Sequence, residues 1–141
     1  MNIFDRGREH VIAVFRVVVG FLFLCHGAKT LFGVLGSTKG AVSITSWPGG
    51  PAGLIELVCG ALIIIGLGTR YAALLSSGAM AYAYFVVHQP EALMPIQNNG
   101  ELAAVYCWVF LLLAFIGPGS WAVDTMLAAR KEKQSESLVS A

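Results

Sequence analysis

The chain has 141 residues, of which 57% are hydrophobic and 12% are charged, and its formal net charge at pH 7 is +1. A soluble domain carries about twice that share of charged residues, so the composition indicates a membrane protein. A net charge this close to zero, with no stripe of basic residues, excludes nucleic acid as an expected partner.

Four apolar stretches follow one another along the chain. An α-helix rises ~1.5 Å per residue, so stretches of about 16 to 22 residues cover most or all of a hydrocarbon core that is ~30 Å thick. We therefore predict an all-α, polytopic membrane protein, an antiparallel four-helix transmembrane bundle. The predicted spans are about 11–32, 51–68, 71–88 and 101–116.

Turn residues separate these spans. A Gly/Ser/Thr-rich loop covers 33–50, two glycines follow at Gly66 and Gly68, Pro90 ends the third span, and glycines flank Pro118 after the fourth. Proline cannot continue the helical hydrogen-bond ladder, and glycine permits positive φ. The predicted division is a cytoplasmic segment at 1–10, a membrane domain at 11–124 and a polar cytoplasmic tail at 125–141, of which Lys131–Ala141 is expected to be mobile.

The first span is read as a retained helix rather than a cleaved signal peptide, since it is long and contains Arg16. Cys25, Cys59 and Cys107 lie in three different spans without metal-ligand spacing. We therefore expect packing cysteines and no metal site.

The basic residues predict the orientation. Two lie on one side, at Lys29 and Lys39, and six on the other: Arg6, Arg8, Arg70, Arg130, Lys131 and Lys133. The positive-inside rule then places both termini in the cytoplasm, in a bacterial inner membrane. The loops at 33–50 and 89–100 would face outward.

Small residues mark the expected contacts between spans, since close backbone approach drives helix association in lipid. The predicted seams are Gly20 and Gly27 on span one, Gly53 and Gly60 on span two, and Ala72, Ser76, Ala79 and Ala83 on span three.

Ionisable residues inside a bilayer cost ~2.5–3.5 kcal/mol each, so they should face the bundle interior. Five of them fall in the outer leaflet under the predicted topology: His26, Lys29, Glu56, His88 and Glu101. Glu56 shares a helix face with Gly53 and Gly60. We interpret the five as candidates for ligand binding or proton relay in an outward-facing polar pocket covered by the Trp47 loop.

Each member also has a structural alternative. His88 could sit at the interface, Lys29 could extend to the head groups, and Glu101 with Asn98 resembles a capping box. A purely structural pair of Glu56 with Lys29 or His26 stays open. On the inner side, Arg16 and Asp124 are predicted to form a structural ion pair that fastens the C-terminal segment beneath the bundle.

The order and spacing of these residues resemble the DoxX family over about Phe15–Asp124. The residues that carry the resemblance are Arg16-x3-Gly20, Gly27-x-Lys29, Gly53-x2-Glu56-x3-Gly60, Gly66-x-Gly68-Thr69-Arg70, Met80 to His88, Asn99-Gly100-Glu101, and Gly117-Pro118-Gly119 with Asp124.

The resemblance implies a four-helix protein of the bacterial cytoplasmic membrane with a redox-linked role, since the family name links it to quinone-reducing, thiosulfate-oxidising subunits of archaea. Thiol chemistry is less expected, because this chain lacks the cysteine pairs of some members. The expected partners are the lipid bilayer, a membrane or soluble redox protein, or a second copy of the chain.

Two functional hypotheses follow. In the first, the outer pocket binds a quinone or small oxyanion, no cofactor is intrinsic, and an oxidoreductase partner supplies electrons, since the chain shows no haem, flavin or iron–sulfur motif. In the second, the chain is a non-catalytic scaffold that recruits or stabilises partner proteins. A metal site built from His26, Glu56, His88 and Glu101 and a transporter are weaker alternatives.

Overall fold

A computed structural model describes residues 3–139, which form helices and loops without a β-strand. The helices are α1 (Ile3–Phe32), α2 (Gly49–Ile65), α3 (Thr69–Tyr82), α4 (Glu101–Ile116) and α5 (Val123–Val139). A π-helical turn, Ala83–His88, continues α3 directly and is called the π segment below. The all-α prediction is confirmed.

Hydropathy distinguishes α1 from the other helices. Within residues 3–139, α1 alone is long and apolar enough to cross a bilayer by length and composition, over Phe4–Phe32. The apolar helices α2 and α4 are shorter, with 17 and 16 residues. Helix α4 has the bounds expected from sequence, whereas α1 begins eight residues earlier than the expected span.

Helices α1 and α2 touch through their glycines. A Cβ atom on Gly27 would lie 2.5 Å from the backbone nitrogen of Leu57 and 2.7 Å from the carbonyl oxygen of Gly53. A Cβ atom on Gly60 would lie 2.7 Å from the backbone nitrogen of Leu24. The predicted glycine seam therefore lies between these two helices. At the glycine positions the two backbones are too close for a side chain to fit between them.

Helices α3 and α4 form the second closely packed pair. The Ser77 hydroxyl on α3 donates a 2.8 Å hydrogen bond to the Cys107 carbonyl on α4. Phe23, Ile63, Phe110 and Leu113 are fully buried where the two pairs meet. The aromatic rings of Phe23 and Phe110 are 4.5 Å apart between centroids, so α1 contacts α4 through this core.

The turn between α2 and α3 depends on two left-handed glycines. Gly66, with φ of 74°, ends α2 and donates its N–H to the Leu62 carbonyl at 2.9 Å. Gly68, with φ of 59°, precedes the first residue of α3. Glycine adopts this conformation without the steric cost of a side chain, so the chain reverses within three residues.

The predicted polar tail after Asp124 is helical. Helix α5 continues to Val139, and its side chains from Thr125 to Leu138 are exposed. Alanine, leucine, lysine, arginine and glutamate, all strong helix formers, dominate this stretch, which explains the helix without any apolar periodicity. Residues 140 and 141 lie outside the described part of the chain.

Candidate functional site

A cavity of about 260 Å³ opens between the helices near the C-terminal end of α1 and the π segment. Its walls come from α1, α2, α3, the π segment, the following loop and α4. The lining residues are Phe23, His26, Glu56, Met80, Ala83, His88, Asn99, Leu102, Ala103 and Tyr106. Polar and apolar side chains thus line the same space, which we call the polar cavity.

Three of the five outer candidates line the polar cavity, namely His26, Glu56 and His88. The other two do not. Lys29 and Glu101 are exposed at the last turn of α1 and the first turn of α4. Lys29 lies nearly one helical turn beyond His26 at the end of α1, and Glu101 lies about 140° from Tyr106 around α4.

Glu56 and Tyr106 both line the polar cavity. Glu56 is half-buried on α2, and Tyr106 is buried on α4. Within residues 3–139, neither the Glu56 carboxyl group nor the Tyr106 hydroxyl forms a hydrogen bond. Polar groups in protein interiors almost always have a partner, so these two are available to a bound molecule or to water.

An aromatic cluster fixes Tyr106. Its ring stacks on Phe110 with centroids 5.5 Å apart and an interplanar angle of 11°, and Phe23 lies 5.4 Å away. The His26 imidazole approaches the edge of Tyr106 at 6.1 Å and 81°. Sequence analysis missed Tyr106; the available signal was its hydroxyl group within the otherwise apolar stretch of α4.

The π segment positions His88. Residues five apart lie about 140° apart around an α-helix, whereas the i to i+5 bonding of a π-helix brings them nearly into line. Ala83 and His88 therefore both line the polar cavity. Nδ1 of His88 lies 3.0 Å from the Asn98 carbonyl oxygen. A carbonyl only accepts, so Nδ1 carries the proton, and Nε2 of the neutral ring remains an acceptor.

Asn98 organises the loop before α4. Its buried side-chain amide donates to the Ala92 carbonyl at 2.8 Å and accepts the N–H of Gly100 at 2.8 Å. The capping-box alternative for Asn98 and Glu101 is therefore wrong. The N-cap residue of α4 is Gly100 rather than Asn98, and no side-chain hydrogen bond caps this helix. The neighbouring Asn99, with φ of 55°, was another lining residue that sequence analysis missed.

The Trp47 loop does not cover the polar cavity. The Trp47 ring packs on Tyr82 at 5.6 Å, where both residues line a separate apolar groove. The prediction of a Trp47 lid was wrong, because the loop folds against the α2–α3 side of the molecule rather than over α1 and α4.

The opposite end of the molecule contains Arg16, which is 1% exposed. Its guanidinium group donates to the carbonyls of Ile63 and Ile64 at 2.6 Å, at the C-terminal end of α2. It also donates to Pro118 at 2.9 Å and Trp121 at 3.2 Å, before α5. The positive charge of Arg16 therefore lies at the negative end of the α2 dipole. The hydrogen bonds of the same side chain hold the segment before α5 against the end of α2.

Asp124 uses partners other than Arg16. Its carboxylate accepts the backbone N–H of Gly68 at 2.8 Å and of Thr69 at 2.9 Å. Burial opposes its charge, but the N–H groups of Thr69 and Gly68 and the nearby Arg16 outweigh burial and hold the pKa of Asp124 below its usual range. The predicted direct ion pair is thus replaced by two separate sets of backbone contacts, and the two charges interact at longer range.

The metal-site alternative finds no support in the geometry. Among the residues that the structure describes, no three His, Cys, Asp or Glu side chains are grouped so as to hold a metal ion. Of the four ligands considered, Glu101 lies outside the polar cavity.

Comparison with known proteins identifies the family. The DoxX family model matches residues 11–89. An uncharacterized protein of Haemophilus influenzae is 40% identical over 132 residues, which cover 88% of this chain and 96% of that protein. A Bacillus subtilis protein named "Putative oxidoreductase CatD" is 26% identical, covering 83% and 87% of the two chains.

An uncharacterized membrane protein of Mycobacterium tuberculosis is 28% identical over 141 residues, covering 88% of this chain and 85% of that protein. No solved structure matches the chain. Since the family model covers more than half of the sequence and the Haemophilus relative aligns over nearly its whole length, the chain belongs to the DoxX family of membrane proteins.

Proposed function

We propose that the chain spans a bacterial inner membrane four times and that its polar cavity binds a quinone or a similar small ligand as part of a redox-associated membrane unit. The observation that carries this proposal is that Glu56 and Tyr106 line one cavity and that neither polar group forms a hydrogen bond in the described chain. The four spans are α1, α2, α3 with the π segment, and α4.

Length and surface support four spans. Helix α3 and the π segment run together over Thr69–His88, about 30 Å at the helical rise, and α2 and α4 cover about 24–26 Å. Large apolar side chains on the outer surface of three helices are more than half exposed, as at Phe21, Leu74 and Leu112. Such a surface suits lipid rather than water.

The basic residues support an orientation with both termini in the cytoplasm. Arg70 then lies at the inner face, where it donates at 2.7 Å to the carbonyls of Ala114 and Phe115 at the end of α4. Lys29 and the mouth of the polar cavity lie towards the outer face, within reach of a ligand from the bilayer or the periplasm.

The size and lining of the polar cavity favour a single-ring head group. At about 260 Å³ it falls just below the ~300–1,000 Å³ usual for drug-sized ligands. Phe23, Met80 and Leu102 provide apolar contact for a ring, while the Tyr106 hydroxyl can donate to a quinone carbonyl oxygen and Nε2 of His88 can accept from a quinol hydroxyl.

Reduction of a quinone to a quinol takes up two electrons and two protons. In the proposal, a partner redox protein is oxidised and supplies the electrons, and Glu56 with His26 delivers protons. The printed name of the Bacillus relative is in keeping with a redox role for the family.

The test compares two glutamates in purified protein held in lipid nanodiscs. Glu56→Gln should weaken the binding of a short-chain benzoquinol, the reduced form, about tenfold or more, because a carboxylate accepts the quinol hydroxyl in a charge-assisted hydrogen bond that the neutral amide cannot replace. Glu101→Gln is the matched control, since Glu101 is exposed and lies outside the cavity. Absence of saturable quinol binding, or equal effects of the two variants, would refute the proposal.

The scaffold hypothesis makes a different prediction for the same variants. Under it, Glu56→Gln would lower thermal stability or partner co-purification and no quinone would bind to either form. Mass spectrometry of the natively purified protein, with its bound lipids and proteins, distinguishes the two.

A further inference from the structure

A second cavity of about 290 Å³ lies beside the polar one, and its lining is almost wholly apolar. We call it the apolar groove. It is formed by the Trp47 loop, the first turns of α2, the end of α3 and the π segment. Its lining residues are Trp47, Pro48, Gly49, Pro51, Ala52, Ile55, Ala79, Tyr82, Ala83 and Val87.

The two cavities meet at Ala83, which lines both of them. On α2, Ile55 faces the groove while its neighbour Glu56 faces the polar cavity. On α3, Ala79 faces the groove while Met80 faces the polar cavity. The α2–α3 contact therefore separates the two spaces, and Ala83, the first residue of the π segment, borders both of them.

The groove opens to the outside of the molecule. Tyr82 and Val87 on its wall are 40% and 44% exposed, and Trp47 is 71% exposed. In a chain that spans a membrane, this side of α2 and α3 faces lipid, so the groove is filled by hydrocarbon rather than by water.

We propose that the ligand of this protein is amphipathic, with its ring in the polar cavity and its hydrocarbon tail in the apolar groove, passing between α2 and α3 over Ala83. The inference rests on the proposed function, because it needs a ring bound beside Glu56. It narrows the ligand class from small polar molecules in general to lipid-soluble quinones and molecules of similar build, which enter sideways from the bilayer.

The chemistry of the walls supports one ligand across both spaces. A tail in the groove contacts Ile55, Ala79 and the face of Trp47, none of which brings a charge. A soluble oxyanion would leave the groove without a role. An acyl chain of a bulk phospholipid would fill the groove whether or not a ring is bound in the polar cavity. The experiment below distinguishes that case from a tail that belongs to the ligand.

The test uses two probes that differ only in the tail, a decyl-substituted benzoquinone and the same benzoquinone without the decyl chain. Binding to the full chain is measured in nanodiscs of fixed lipid composition. Trp47→Ala removes one wall of the groove, and Ala52→Trp fills it. Trp108→Ala is the matched control, because Trp108 is 70% exposed on α4 and lines neither space.

Both groove variants should weaken binding of the decyl probe about tenfold and leave the tailless probe unchanged, and Trp108→Ala should change neither. If both probes bind the wild type but the groove variants alter neither affinity, the tail site is refuted while the proposed function stands. Equal weakening of both probes would also refute it, since the ring site itself is then disturbed. If neither probe binds the wild type, the proposed function itself is refuted, and the tail site with it.

Discussion

The backbone N–H of Thr69 donates a 2.9 Å hydrogen bond to the carboxylate of Asp124, which lies 55 residues later in the chain. Thr69 is the first residue of α3, and the preceding Gly68 has no side chain with which to cap the helix. Asp124 therefore acts as a cap supplied from α5, and its charge also suits the positive end of the α3 dipole.

Removing this charge should destabilise the fold in a pH-dependent way. Asp124→Asn is expected to cost about 1 kcal/mol at pH 7, because the amide has one oxygen for the two N–H groups and no charge beside the α3 dipole. The folded pKa of Asp124 lies below its unfolded value of about 3.9. The stabilisation is therefore complete above about pH 4 and disappears as the pH falls through the folded pKa.

Unfolding of the wild type and Asp124→Asn in detergent, followed between about pH 7 and pH 2, measures this difference. Glu91→Gln serves as the control, because Glu91 is exposed in the loop before α4. A gap between wild type and Asp124→Asn that stays constant down to the lowest pH would contradict the capping role.

Substitution of Arg16 should lower the stability of the fold more than substitution of any other charged residue at this end of the molecule. Arg16→Lys keeps the charge but cannot reach the carbonyls of Ile63, Ile64 and Trp121 together, since an ammonium group lacks the planar fork of a guanidinium. Each buried carbonyl left without a donor costs ~1–3 kcal/mol, so a loss of about 3 kcal/mol or more is expected.

Arg70→Lys provides the comparison. Arg70 also donates to two helix-terminal carbonyls, but its side chain is exposed. Water replaces its hydrogen bonds, so we expect a loss of at most about 1 kcal/mol. Equal losses of unfolding free energy for the two variants in the same assay would show that the burial of Arg16 does not determine the cost of replacing it.

The glycine seam predicts opposite effects for one substitution at two sites. Gly27→Ala places a Cβ atom 2.5 Å from the Leu57 backbone nitrogen, so α1 and α2 must separate, at an expected cost of about 1–3 kcal/mol. Gly78→Ala meets no atom within 4 Å and lies inside α3, so it should stabilise by about 0.5–1 kcal/mol.

Thermal unfolding of the two alanine variants checks the prediction directly, since both add the same single methyl group. Should Gly27→Ala prove as stable as Gly78→Ala, the close approach of α1 and α2 would be refuted.

The loop before α4 should depend on Asn98. Asn98→Ala leaves the part-buried Ala92 carbonyl without its donor and leaves the Gly100 N–H with the Pro95 carbonyl alone, at an expected cost of about 1–3 kcal/mol. The Asn98 carbonyl that holds Nδ1 of His88 would then shift, so quinone binding should weaken as well. Gln97→Ala, at an exposed position of the same loop, should leave unfolding and binding unchanged.

Several features of the fold could be read from the sequence because they depend on local chemistry. Hydropathy defined the apolar helices, and Gly66 and Gly68 marked a turn that only left-handed residues close so tightly. The spacing of Gly20, Gly27, Gly53 and Gly60 predicted the α1–α2 seam, since small residues seven apart lie on one helix face.

Other features could not be derived from local patterns. Glu56 and His26 share the polar cavity while Lys29 and Glu101 do not, because this depends on how far each helix is rotated about its axis. The π segment shifts that rotation for His88, and no residue pattern announced it. Tyr106 enters the site only because α4 packs against α1 through Phe23 and Phe110.

The sequence by itself determined a helical membrane protein with its polar residues grouped at two levels, because burial of charge and backbone hydrogen bonding follow from composition and order. Only the tertiary structure decided which polar groups meet. Asp124 caps α3 instead of pairing with Arg16, and Glu56 shares a cavity with His26 and Tyr106 but not with Lys29. Those partners are set by the distances between helices, which depend on all the packed side chains together.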